Sequence, residues 1–156
     1  MMNDKQLLKR AIQIAGEGIS EGKGPFGALI VKEGKIIAEA SNSVVKTHDP
    51  TAHAEVLAIR KAASILGTHD LSGCTVYASC EPCPMCLGAI YWSGIKKVVY
   101  ASDRSDAEAA GFSDSLIYRE IILDPAERSV SFIHIPDAGG EDVFRRWDGF
   151  ENKIPY

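Results

Sequence analysis

The sequence predicts an α/β fold, a three-layer α/β/α sandwich around a central mixed sheet of five strands. Three observations lead there. Apolar residues at helical spacing alternate along the chain with short apolar runs of strand length. Helices that alternate with strands in this way pack on the faces of one sheet. Runs such as Ala28-Leu29-Ile30-Val31 are apolar throughout, as strands covered on both faces must be.

The first element spans Asp4 to Gly22 as an amphipathic helix. Leu8, Ala11, Ile12, Ala15 and Ile19 fall at helical spacing, and Gly22 is the stop. Phe26 to Lys32 and Lys35 to Ser41 are strand-like runs around Glu33-Gly34, a short hairpin signal. Asp49-Pro50 has the form of a helix start, with proline at the first helical position. That helix runs to about Gly67 and carries Val56, Ile59, Ala63 and Leu66 on one face. Cys74 to Ser79 reads as a strand, followed by a Cys/Pro-rich turn, a helix from about Cys83 to Ser93 and the strand Lys97 to Ala101. Ser102 to Asp114 is small and polar and reads as loop. A short helix covers Ser115 to Ile121, and Val130 to Ile135 supplies the fifth strand. The last helix, about Glu141 to Phe150, carries Val143, Phe144, Trp147 and Phe150 on one side.

Composition bounds the rest. The 156 residues suit one domain, 1–156, and 46% hydrophobic with 24% charged residues is ordinary globular composition. Disordered, collagen-like and coiled-coil classes are excluded. No apolar run approaches the ~18 residues of a membrane span, and the polar amino end lacks the core of a secretory signal. The expectation is a cytoplasmic protein with no membrane partner. The net charge of −4, with no Lys/Arg cluster beyond pairs such as Lys96-Lys97, speaks against a nucleic-acid partner.

The chemistry concentrates in two motifs, each at the start of an expected helix. One is His53-Ala54-Glu55; the other is Pro82-Cys83-Pro84-Met85-Cys86. Zinc takes imidazole and thiolate ligands in tetrahedral geometry. Cys83 and Cys86 share a helix face, and a helix amino end favours the thiolate. With His53 as third ligand, a fourth position stays open, the mark of a catalytic rather than a structural zinc site. Glu55 then suits the role of proton shuttle. Because residues two apart do not share a face in mid-helix, His53 and Glu55 both reach one ion only if the helix proper begins close to His53. H-x-E followed by P-C-x-x-C is the signature of zinc-dependent nucleobase deaminases.

The simpler readings stand beside these. Cys80 repeats the three-residue spacing and would close the site as a structural Cys₃His centre. Cys74 reads as a small buried apolar residue. A thioredoxin-like redox pair would leave His53-Ala54-Glu55 without purpose. His48, His69 and His134 have no motif context. On residue chemistry alone, Asn42 is equally a turn residue, Asp114 a cap for the helix at Ser115, and Phe26 plain core.

The stretches Pro50-Thr51-Ala52-His53-Ala54-Glu55 and Cys80-Glu81-Pro82-Cys83-Pro84-Met85-Cys86 resemble the cytidine-deaminase-like superfamily, tRNA adenosine deaminases included. Gly24-Pro25-Phe26-Gly27-Ala28, Ala109-Ala110-Gly111-Phe112-Ser113-Asp114-Ser115 and the tail ending in Tyr156 resemble the bacterial guanine deaminase family over nearly the whole chain. The resemblance implies hydrolysis of guanine, a small purine base, to xanthine and ammonia with one Zn²⁺ per subunit. It implies zinc ligation by His53, Cys83 and Cys86, proton shuttling by Glu55 and proton transfer to the leaving amine by Asp114. It places Asn42, Phe26, Ala54 and Tyr156 around the purine. It further implies a homodimer in which a C-terminal segment, about 137–156, is exchanged, bringing Tyr156 to the partner's site. A tRNA adenosine deaminase on the same zinc site and a non-catalytic structural zinc module are the alternatives.

Overall fold

In the computed structural model, which describes residues 2–156, helices and strands alternate as expected through the first two thirds of the chain. The residues divide into two compact units, one ending at Asp114 and the other spanning Ser115–Tyr156.

The first unit opens with α1, Asp4–Ser20, whose N-cap Asn3 and Gln6 form a reciprocal capping box. β1 (Gly27–Lys32) and β2 (Lys35–Ser41) form an antiparallel hairpin. Its two turn residues, Glu33 and Gly34, both have positive φ, 50° and 74°, the backbone that matches strand twist in a two-residue hairpin. A one-turn α2 (Val44–Thr47) follows, then α3 (Ala54–Leu66), β3 (Cys74–Cys80), α4 (Pro84–Trp92), β4 (Lys97–Ser102) and α5 (Arg104–Ala109).

Among the described residues the sheet has four strands, in the order β2-β1-β3-β4. β1 is antiparallel to both β2 and β3, whereas β3 and β4 are parallel, joined by the α4 crossover. The sheet is therefore mixed, and its faces explain the unbroken apolar runs. Leu29, Val31 and Tyr77 point to one side and pack with Leu7, Ala11 and Ile14 of α1. Ala28, Ile30, Val76 and Ala78 point to the other, onto Ala54, Ala58 and Ala62 of α3 and Ile90 of α4. Small residues at this second interface let α3 lie close to the sheet. Gly27 serves the same purpose against α1: a Cβ there would stand 2.3 Å from the Ala11 carbonyl oxygen, so no side chain fits.

Three expectations need correction, and one element was not foreseen. The five-stranded sheet is four-stranded, because Val130–Ile135 forms no strand. The amide of Ser129 donates to the Glu120 carboxylate (3.0 Å), and Arg128 donates to the carbonyl oxygens of Glu120 and Leu123 while lying 4.9 Å from the Phe132 ring centre. These bonds fold the segment back instead of giving it a ladder partner. Ser102–Asp114 is not all loop: Asp103 accepts from the amides of Ser105 and Asp106 and, with the Asp106 side chain, completes a capping box for α5. α2 has no counterpart in the sequence reading. Asp49-Pro50 does not begin a helix, because the Asp49 carboxylate bonds the Thr51 amide and hydroxyl (2.8 and 2.7 Å) in a local turn, and α3 starts four residues later.

The second unit contains α6 (Ser115–Ile121), two single 3₁₀ turns and α7 (Gly140–Asp148). α7 carries Glu141 and Asp142 in its first turn and Arg145 and Arg146 in its last, the distribution that complements the helix dipole. Its Val143, Phe144 and Trp147 are exposed.

Candidate metal centre

Two helices begin at the residues that the sequence marks out. His53 is the N-cap of α3 and Cys83 the N-cap of α4, and neither side chain caps its own helix. Pro84 at the first position of α4 fits the start, since the missing N–H there has no intrahelical partner in any case. The turn before α3 is fixed by Ala52 N–H on the Asp49 carbonyl (3.1 Å), His53 N–H on the Thr51 carbonyl (2.8 Å) and Ser43 N–H on the Ala52 carbonyl (2.9 Å). Ordinary helical side chains thus end where the imidazole begins, and His53 and Glu55 reach the same place, as the first-turn argument requires.

His53 Nδ1 lies 3.4 Å from Cys83 Sγ and 3.6 Å from Cys86 Sγ. A tetrahedral zinc with bonds of about 2.0–2.1 Å to nitrogen and about 2.3 Å to sulfur sets those atoms about 3.6 Å apart. The three donors therefore already stand at the spacing of one zinc ion's ligands, and all their ligating atoms lie within 4.8 Å of one another. Cys86 is 0% exposed and Glu55 6%, whereas His53 and Cys83 are half-buried.

The protonation pattern suits a cation. The Cys83 thiol is drawn well down, first by its hydrogen bond with Cys86 and then by His53, against the opposing effect of burial. Cys86 is pushed up, first because that same bond holds its proton and next because it is buried. His53 is raised chiefly by its bond to Cys83. One negative charge is shared where two would be adjacent, which is what an ion-binding thiol pair shows while it holds a proton. Burial raises the Glu55 carboxyl, whose Oε2 accepts from Cys86 Sγ at 3.4 Å. A buried carboxylic acid beside a cation site has the position and basicity of a proton carrier.

Cys80 stands apart from this group. It ends β3, with Sγ 3.5 Å from the Asp103 carbonyl oxygen, and burial pushes its thiol up to about 11. Cys74, the first residue of β3, is buried in the core shared with α3, as its sequence context suggests. Ala54 is fully buried between His53 and Glu55. Asn42 is 7% exposed; its N–H donates to the Phe26 carbonyl (2.9 Å) and its Oδ1 accepts from Val44 N–H (3.2 Å). The Phe26 ring meets Phe112 edge-on, with centres 5.0 Å apart. Asp114 pairs with Arg104 Nε at 3.4 Å, a partner that sequence reading missed because Arg104 lay in presumed loop. Tyr156 lies in the second unit.

The model of the cytidine and deoxycytidylate deaminase zinc-binding region matches residues 1–102. The chain belongs to that family. Within the zinc-binding deaminases, it is 52% identical over 156 residues to a guanine deaminase of Bacillus subtilis, covering 99% of this chain and 100% of the relative. It is 46% identical over 101 residues to a tRNA-specific adenosine deaminase of Aquifex aeolicus, covering 65% of this chain and 67% of the relative. The crystal structure of guanine deaminase from Bacillus subtilis superposes with a TM-score of 0.97 at 52% identity, covering 99% of each chain. A protein solved in complex with 2,6-diaminopurine superposes at 0.71 with 36% identity, over 73% of this chain and 64% of its own. The His/Cys/Cys group thus falls in a zinc-binding deaminase domain, and the chain is a guanine deaminase homologue. Among the described residues no helix is long and apolar enough to cross a membrane.

Proposed function

We propose that this protein hydrolyses guanine to xanthine and ammonia at the centre formed by His53, Cys83, Cys86 and Glu55. The observation that carries the reading is the near-full-length similarity to guanine deaminase, joined to three donors already at zinc spacing with a buried carboxylate beside them. A zinc ion held there supplies a Lewis acid that activates water at neutral pH.

Every other step falls to the chain's own groups. Glu55 takes a proton from the attacking water and passes it to the ring nitrogen beside C2, which makes that carbon electrophilic. The new C2–O bond forms; the hydroxyl it carries then gives its remaining proton to Glu55 or Asp114 and becomes the carbonyl, and that proton passes to the exocyclic amine, which leaves as ammonia as the C2–N bond breaks. Asn42 offers a buried amide to the purine edge, Phe26 an aromatic wall, and Ala54 a small floor between His53 and Glu55. A tRNA substrate is disfavoured by the net charge of −4 and by an identity of 46% over 101 residues to the adenosine deaminase, against 52% over 156 residues to the guanine deaminase. The same reading places the enzyme in the cytoplasm. A structural module is disfavoured because it would leave a buried Glu55 beside the metal site without a task.

The deciding experiment is an ammonia-release panel with guanine, guanosine, adenine, cytosine, cytidine and an adenosine-containing tRNA anticodon stem. Guanine is the expected preferred substrate. Turnover confined to the tRNA would overturn the substrate while leaving the metal site standing.

The reading includes a single deaminase domain, 1–156, that acts as a homodimer in which about 137–156 is exchanged and Tyr156 reaches the partner's site. The exposed Val143, Phe144 and Trp147 of α7 and the unladdered apolar run 130–135 support it, since apolar area of this kind is normally covered. Sedimentation should give a dimer at assay concentrations. A fully active monomer would remove both the exchange and the role of Tyr156.

A further inference from the structure

Gly24 lies two residues before Phe26, which the reading above sets beside the purine, and no feature of its own backbone demands glycine. Its φ lies outside the left-handed region. It precedes Pro25, a position that favours extended backbone open to any residue. What it lacks is room. A Cβ on Gly24 would stand 3.1 Å from Asn42 Oδ1, 3.2 Å from its Cγ and 3.6 Å from its Cβ. The first two distances are tighter than ordinary van der Waals contact, and both fall on the side-chain amide.

We propose that Gly24 is a positioning residue for substrate recognition: its bare Cα sets where the Asn42 amide stands. The inference rests on the reading above that Asn42 contacts the purine. The amide has little freedom to yield. Its Oδ1 accepts from Val44 N–H, and its main chain is tied by its own N–H to the Phe26 carbonyl. Moving the loop instead would carry Phe26 with it, because Phe26 N–H donates to the Gly24 carbonyl at 2.9 Å and the Phe26 ring packs on Phe112. Either response displaces a group that meets the purine. Displacements of a few tenths of an ångström approach the ~0.5 Å tolerance of a binding constellation. About 1 Å costs up to about 100-fold, so an alanine at position 24 should cost about tenfold in kcat/KM for guanine.

The test is a double-mutant cycle on the zinc-loaded protein with Gly24→Ala, Asn42→Ala and the pair, following kcat, KM, bound zinc and Tm. Calorimetric Kd for xanthine adds a readout independent of turnover. Gly24→Ala should raise KM and weaken xanthine binding about tenfold with bound zinc unchanged. In the Asn42→Ala background it should cost nothing further, because the amide it crowds has gone and only the Asn42 Cβ at 3.6 Å remains. If Gly24→Ala alone fails to fold, the pair must fold. The inference is overturned if Gly24→Ala behaves as the native protein, if its cost is the same in both backgrounds, or if the pair stays unfolded. Asn42→Ala with native KM would instead mark the failure of the Asn42 assignment, and Gly24 would fall with it.

Discussion

Replacing Glu55 by glutamine is expected to lower kcat for guanine by about 10³-fold or more, within and beyond the 10²–10⁴-fold typical of one general acid–base step. Bound zinc and Tm should remain those of the native protein. The size follows from the double duty of one side chain: it serves both the attacking water and the ring nitrogen, so its loss touches two proton transfers. Glutamine keeps the shape and the capacity to hydrogen-bond with Cys86 Sγ, now 3.4 Å from Glu55 Oε2, but carries no transferable proton at neutral pH. Glu55 is not among the three donors grouped for a metal, so zinc content separates a chemical loss from a loss of the site. The pH profile gives a second readout. A base must be unprotonated, so activity falls as pH drops through the Glu55 pKa, which burial raises and a bound cation lowers. Near-native turnover in Glu55→Gln, measured by ammonia release at saturating guanine, would remove the residue from the mechanism.

Much of the sheet was legible because its strands carry their own evidence. Ala28 to Val31 is apolar on both faces, and the structure places α1 on one side and α3 on the other. The metal centre was legible for a related reason: ligand spacing is a local property, and both helix starts depend on residues within a few positions of His53 and Cys83. Features that depend on distant partners were not. Val130 to Ile135 has the β-branched and aromatic residues of a strand, yet a strand exists only where another lends its hydrogen bonds, and here Ser129 spends its amide on Glu120. α5 was hidden by small polar residues, although Asp103 and Asp106 spell a capping box that sequence alone could have found. Asp49 shows the opposite error. Its side chain satisfies Thr51, four positions short of the true N-cap His53, because a carboxylate serves a turn as readily as a helix end.

Asn42 and Gly24 mark the deeper limit. A buried asparagine after a strand reads as a turn residue, and the Val44 bond shows that it is one. That bond also fixes the amide against a neighbour 18 residues away in sequence, a relation set by the packing of the loop after α1 against the end of β2. Gly24 carries no signal of its own, since its requirement is steric and comes entirely from elsewhere.

The second large effect is expected at the ligands. Cys86→Ala should reduce bound zinc from one per chain to near zero and abolish deamination, whereas Cys80→Ala should retain both. Changes around a metal's ligands cost about 10–100-fold in affinity, and removing a ligand exceeds that. Alanine is the suitable replacement because Cys86 is 0% exposed, so a small apolar residue puts no new polar atom in the buried site, and the partner it removes is the thiol that Glu55 Oε2 accepts from. The comparison with Cys80 separates the two kinds of zinc site. Cys80 repeats the motif spacing, yet its sulfur lies against the Asp103 carbonyl and its thiol stays protonated. Zinc must also displace the proton that Cys86 holds, so uptake should release protons and strengthen as pH rises. Because bound metal stabilises only the folded chain, zinc at about 1,000 times its Kd should add about 4 kcal/mol to unfolding of the native protein, and Cys86→Ala should forfeit that increment. Metal analysis at several pH values, ammonia release, and thermal melts with and without chelator read these effects. Loss of zinc in Cys80→Ala would mean a third sulfur closes the site, leaving no corner for water and no route to hydrolysis.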